Sequence, residues 1–138
     1  MAITRTASSV IAGAAVTLLL LTGCSAGQSK ADACLILKDA LTEISTVLTD
    51  NQAGLAGDDA EAAAATIADG AEDFAAETKK VTNEDVKPAA TEVATAVTAM
   101  SDAFTDFAAD PENADPEAIN SVGKDAGDKI AAIGNVCE

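Results

Sequence analysis

Histidine, tryptophan and tyrosine are absent from this chain of 138 residues. Without histidine it lacks the commonest metal ligand and the one side chain that titrates near neutrality unaided. Its three aromatics, Phe74, Phe104 and Phe107, are too few to form a stacking platform for nucleic-acid bases. Bases are also scarce, 8 Lys and Arg against 23 Asp and Glu, for a net charge of −15. Such a chain repels nucleic acid and anionic bilayers through its general charge, so an electrostatic partner is expected to be cationic. No Ser/His/Asp set can form, and no glycine-rich phosphate loop is present. Glu92 and Asp102 fall off the apolar stripes described below, which leaves no carboxylate obviously placed in a pocket for acid–base work. No enzymatic activity is expected, no small-molecule ligand, and no catalytic residue can be named.

The N-terminus carries the clearest signal. Arg5 is the only charge before an apolar run from Val10 to Leu21, which is followed by Thr22, Gly23 and Cys24. A basic start, an apolar core of this length and small residues before a cut site describe a secretory leader. A membrane span needs ~20 apolar residues, so the run is too short to be one. Leu21-Thr22-Gly23-Cys24 resembles the lipobox of bacterial lipoproteins. The resemblance covers about the first 24 residues and implies a sequence of events. Cys24 receives a diacylglyceryl group, a lipoprotein signal peptidase cuts between Gly23 and Cys24, and acylated Cys24 becomes the new N-terminus. No other cofactor is expected. The alanine-, threonine- and aspartate-rich, lysine-poor composition is similar to that of small secreted lipoproteins from high-GC actinobacteria.

The expected organisation is a signal peptide over 1–23, a lipid-anchored linker over 24–31 and one domain over 32–138. All the acids lie after Cys24, so removing Arg5 with the leader makes the remainder more acidic still. Leu, Ile, Val and Phe are sparse there, and sparse apolar residues with high net charge are the profile of disordered chains. Sustained heptad spacing and a cysteine pair argue for a fold.

Helix 1 is predicted over Asp32–Asp50, capped by Asp32, with Cys34, Leu37, Leu41, Ile44 and Leu48 as its stripe. The two glycines of Asn51–Gly57 are expected to break it. Helix 2 is predicted from Asp58 to about Val81, capped by Asp58 or Asp59. Its stripe of Ala60, Ala64, Ile67, Ala71, Phe74, Thr78 and Val81 is mostly alanine, which demands close backbone approach. Helix 3 is predicted over Glu84–Ala109 with Pro88 near its first turn and a capping-box-like Thr82–Asp85 pair. It has the most regular stripe: Val86, Ala90, Val93, Val97, Met100, Phe104 and Phe107. Asp115-Pro116 is a strong start for helix 4, which runs to about Val136. Its stripe is Ile119, Val122, Ala126, Ile130, Ile133 and Cys137. Gly123, Gly127 and Gly134 make it the weakest helix, and Gly123-x-x-x-Gly127 suits either a close crossing or a flexible segment.

Four stripes and short loops predict an all-α, antiparallel up-down bundle of four helices, or three if the glycine-rich fourth does not hold. In that topology Cys34 and Cys137 lie at the same end. Secretion would place them in an oxidising compartment, so a Cys34–Cys137 disulfide is expected. A zinc or redox pair lacks both histidine and a CxxC motif.

The same topology puts every lysine of the domain in the anchored half. The far end collects Asp110, Glu112, Asp115 and Glu117, whose oxygens suggest at most weak Ca²⁺ coordination outside the EF-hand pattern. The expected role is therefore a lipid-anchored, non-catalytic binding, adaptor or structural module of the cell envelope, on the extracytoplasmic face of the membrane. The alternative is a domain that binds a divalent cation or a cationic partner at the acidic tip.

Overall fold

In the computed structural model, which describes residues 27–138, the chain forms four α-helices. They are α1 (Lys30–Leu55), α2 (Ala60–Thr78), α3 (Lys87–Ala109) and α4 (Pro116–Cys137). No strand occurs among the described residues. Each helix packs on the next in sequence: α1 on α2, α2 on α3 and α3 on α4. The helical bundle read from the periodicity is the observed architecture. The leader, the Leu21–Cys24 motif and the start of the linker lie outside the described residues.

The helix ends follow local chemistry, and several differ from expectation. Ser29, not Asp32, caps α1: its Oγ accepts from the Asp32 backbone N–H at 3.0 Å and donates to Asp32 Oδ2 at 2.6 Å. Asp32 holds the position of the acid in a capping box, and here it accepts from the Ser29 hydroxyl. The domain therefore begins inside the segment expected to be linker. At its other end α1 runs through Asn51 and stops only after Leu55, with Gly54 inside the helix. Packing explains the glycine. A Cβ on Gly54 would lie 2.9 Å from the Ala63 Cβ of α2, so the backbones approach too closely there for any side chain.

Asp59 sits at the N-cap of α2 without a side-chain capping bond. α2 ends at Thr78, yet Val81 beyond it is buried. The expected Thr82–Asp85 box is replaced by Asn83, whose Oδ1 accepts from the backbone N–H groups of Asp85 and Val86. Pro88 falls in the first turn of α3, where its missing N–H is no loss. Asp115 caps α4 as expected, accepting from the Glu117 N–H at 2.9 Å ahead of Pro116.

The core is built between α1, α2 and α3. It contains Ala33, Leu37, Ala40 and Ile44 of α1, Ala71 and Phe74 of α2, and Val86, Ala90, Val93 and Val97 from the α3 side, with Ile133 of α4. Three of the five residues of the expected α1 stripe are displaced from the buried core. Leu37 and Ile44 are buried, but their core partners are Ala33 and Ala40, while Cys34, Leu41 and Leu48 are only half-buried. Gly70 of α2 sits against Val47 and Ile44 of α1. A Cβ on Gly70 would stand 3.0 Å from Val47 Cγ1 and 3.3 Å from Ile44 Cδ1. The close approach demanded by the alanine-rich stripe of α2 is thus met by α1.

Candidate functional site

Two features distinguish the surface: a clamp on the linker and an open side of the bundle. The clamp is Gln28. Its Nε2 donates to the Lys80 carbonyl, and its Oε1 accepts from the N–H groups of Thr82 and Asn83 at 2.7 and 3.1 Å. Its own carbonyl accepts from Asn83 Nδ2 at 3.0 Å. Asn83 therefore bonds the linker on one side and the start of α3 on the other. One glutamine thereby fixes the entering chain to the α2–α3 loop. Nothing in the hydrophobic pattern marks Gln28, because the partners of its side chain are backbone groups 52 to 55 residues away.

The open side lies between α1 and α4, which scarcely touch. Their link is the disulfide Cys34–Cys137, whose Cα atoms are 5.8 Å apart across 103 positions of sequence. Above it runs a cleft of about 870 Å³, with Leu35, Leu41, Thr42, Thr46 and Thr49 on the α1 wall and Ile130 and Ile133 on the α4 wall. A second cleft of about 440 Å³ shares Thr49 with it. Leu48 and Leu55 of α1, Met100, Phe104 and Phe107 of α3 and Ile119 of α4 line that part. Among the described residues Leu35 and Ile130, 57% and 37% exposed, are the large apolar side chains left at the surface, and both border the first cleft. Both volumes fall within the ~300–1,000 Å³ usual for ligand sites. The open side supplies room between α1 and α4 that the sequence pattern did not reveal.

Three hydroxyls of the α1 wall already donate within the helix. The hydroxyls of Thr42, Thr46 and Thr49 donate to the carbonyls of Lys38, Thr42 and Ser45, one turn back. Lys38 also lines the cleft, and no ion pair holds it among the described residues. The cations of α4 are engaged. Lys129 Nζ lies 2.9 Å from Glu92 Oε2 of α3, and Lys124 Nζ lies 2.6 Å from Asp128 Oδ2. Hydrogen bonding and the charge of Glu92 raise the Lys129 pKa, and Asp128 does the same for Lys124.

The acidic tip is not assembled as a metal centre. Asp110 accepts from the backbone N–H and the side-chain amide of Asn113, and Asp115 caps α4. Glu112 and Glu117 are exposed. Among the described residues no group of three or more Cys, Asp or Glu is placed to hold a metal ion. The same residues include no helix long and apolar enough to cross a membrane. Compared with family models, with curated proteins and with solved structures, the chain matches none.

Proposed function

We propose that this is a lipid-anchored protein of the extracytoplasmic membrane face, and that its bundle is a non-catalytic binding module working close to that membrane. The Gln28 clamp is the observation that carries the reading. Cys24, the acylated residue of the lipobox-like motif, lies four residues before a glutamine hydrogen-bonded to the bundle. Extended chain over that span reaches at most about 14 Å. So short a tether suits a module that acts at the bilayer surface, not one that reaches across the envelope. It also turns the disulfide end toward the lipid and the acidic α1–α2 and α3–α4 loops away from it. The acidic tip has no comparable geometry in support of cation binding.

The test is metabolic labelling with an alkyne-bearing palmitate in a bacterial host, followed by fractionation and intact mass. The full chain is expected to take up label, sediment with membranes and start at Cys24 after processing. Cys24→Ala is expected to lose the label and the processing together. A wild-type chain that stays unlabelled and soluble sinks the reading.

A further inference from the structure

We propose that the cleft between α1 and α4 holds the acyl chain of a single-chain anionic amphiphile taken from the membrane. The inference deepens the binding-module reading by naming the occupant of the open side, and it rests on that reading for the lipid source.

The chemistry of the walls selects the occupant. Thr42, Thr46 and Thr49 direct their hydroxyl hydrogens into their own helix, so these three side chains offer no free donor to the carbonyl or hydroxyl oxygens of a peptide or a sugar. A polar ligand there would replace only part of the hydrogen bonds it gives up to water, whereas a hydrocarbon chain gives up none. Apolar lining continues past Thr49 to Phe104 and Phe107. Charge supplies the polarity of the site. Lys38 borders the cleft one turn from Cys34, and Asp50 borders it twelve residues farther along α1. The cation favours an anionic head at the membrane-facing end, and the carboxylate disfavours one at the other, so the tail points toward Phe104.

A second copy of the chain fits less well. In a two-fold pair with both anchors in one membrane, the open sides would meet in parallel and set Lys38 against Lys38 and Asp50 against Asp50. Turning one copy over pairs Lys38 with Asp50 but points the two Cys24 anchors in opposite directions.

The experiment uses the Gly27–Glu138 unit, whose core, caps and disulfide are complete within itself, free of lipid and detergent. Palmitate is titrated below its micellar concentration by calorimetry, with hexadecanol as the uncharged counterpart. One palmitate per chain is expected. Thr49→Trp places a bulky ring in the cleft from an exposed position and is expected to weaken binding by about tenfold or more. Lys38→Gln is expected to weaken palmitate by about two- to fivefold, the scale of an exposed ion pair, and to leave hexadecanol unchanged. Circular dichroism and intact mass confirm that each variant keeps its helices and its disulfide. Failure of palmitate to bind, binding indifferent to Thr49→Trp, or a dimer that Thr49→Trp dissociates would each overturn the proposal. These outcomes do not depend on acylation of Cys24, so they are separable from failure of the labelling experiment.

Discussion

α1 meets two neighbours in opposite ways. Against α2 it packs so closely that Gly54 and Gly70 stand where a methyl group would collide with Ala63, Val47 or Ile44. Against α4 it leaves a cleft, and one disulfide holds the two helices together. The first contact is maintained by dispersion and apolar burial between small side chains, the second by a covalent bond. A helix needs one apolar face to be held in a bundle, yet α1 has two. Ala33, Leu37, Ala40 and Ile44 serve the core, while Cys34, Leu35, Leu41 and Leu48 look onto the open side. The structure thus separates a half built for stability from a half with apolar surface to spare.

Removing the disulfide is expected to have the largest effect and to fall on the open half first. In the chain-entropy model, closing a loop of about this length contributes about 4.7 kcal/mol. Cys34→Ser, or reduction, should lower the melting temperature sharply. Hydrogen exchange should show α4 losing protection while α1, α2 and α3 keep theirs. Equal loss in all four helices would mean that α4 is integral to the core, and the contrast between the two halves would fall.

Truncations of large side chains should differ between the two faces by less. Leu37 is fully buried, so Leu37→Ala is expected to cost about 2–5 kcal/mol in a denaturant melt. Ile130 is 37% exposed at the cleft, so Ile130→Ala is expected to cost under about 1 kcal/mol. Similar costs would show that the cleft closes in solution.

Glycine substitutions should differ in sign. Gly54→Ala forces a backbone shift against Ala63 and is expected to destabilise by about 1–3 kcal/mol. A Cβ on Gly123 or Gly127 meets nothing within 4 Å. Either alanine there should stabilise by about 0.5–1 kcal/mol, the usual helix-propensity gain. The close crossing that Gly123-x-x-x-Gly127 would allow is not used. A loss of stability from Gly127→Ala would reveal a packing partner for that face.

These contrasts explain what the sequence could and could not disclose. The stripe of α2 from Ala64 to Val81 and that of α3 from Val86 to Val97 are buried as their spacing predicts. The Cys34–Cys137 pairing follows from topology alone, because opposite ends of the chain return to the same end of an even-numbered bundle. Met100, Phe104 and Phe107 continue the α3 stripe without a break, yet they are only half-buried. Periodicity reports which residues share a face, and it is silent on whether a neighbour covers that face. The α1 core was hard to read for the related reason that Ala33 and Ala40 look unremarkable beside Leu41 and Leu48. The Gln28 clamp was invisible because main-chain groups of a distant loop satisfy it.

The smallest expected effect concerns the other tie on α4, the exposed Lys129–Glu92 pair with α3. Glu92 raises the Lys129 pKa above the ordinary 10.5 of the unfolded chain. A raised cation pKa means that the folded state holds the proton more tightly. The pair's contribution is therefore fully present below pH 10.5 and is lost as the pH rises through the folded-state value. Glu92→Gln should lower the melting temperature slightly at neutral pH in dilute buffer, less than either α4 glycine substitution raises it. Molar salt should erase that difference by screening, and so should a pH above the Lys129 titration. If the difference persists in both, Glu92 contributes through packing against α4 and not through charge. α4 would then be held on α3 by apolar contact at Glu92 and not by an ion pair there.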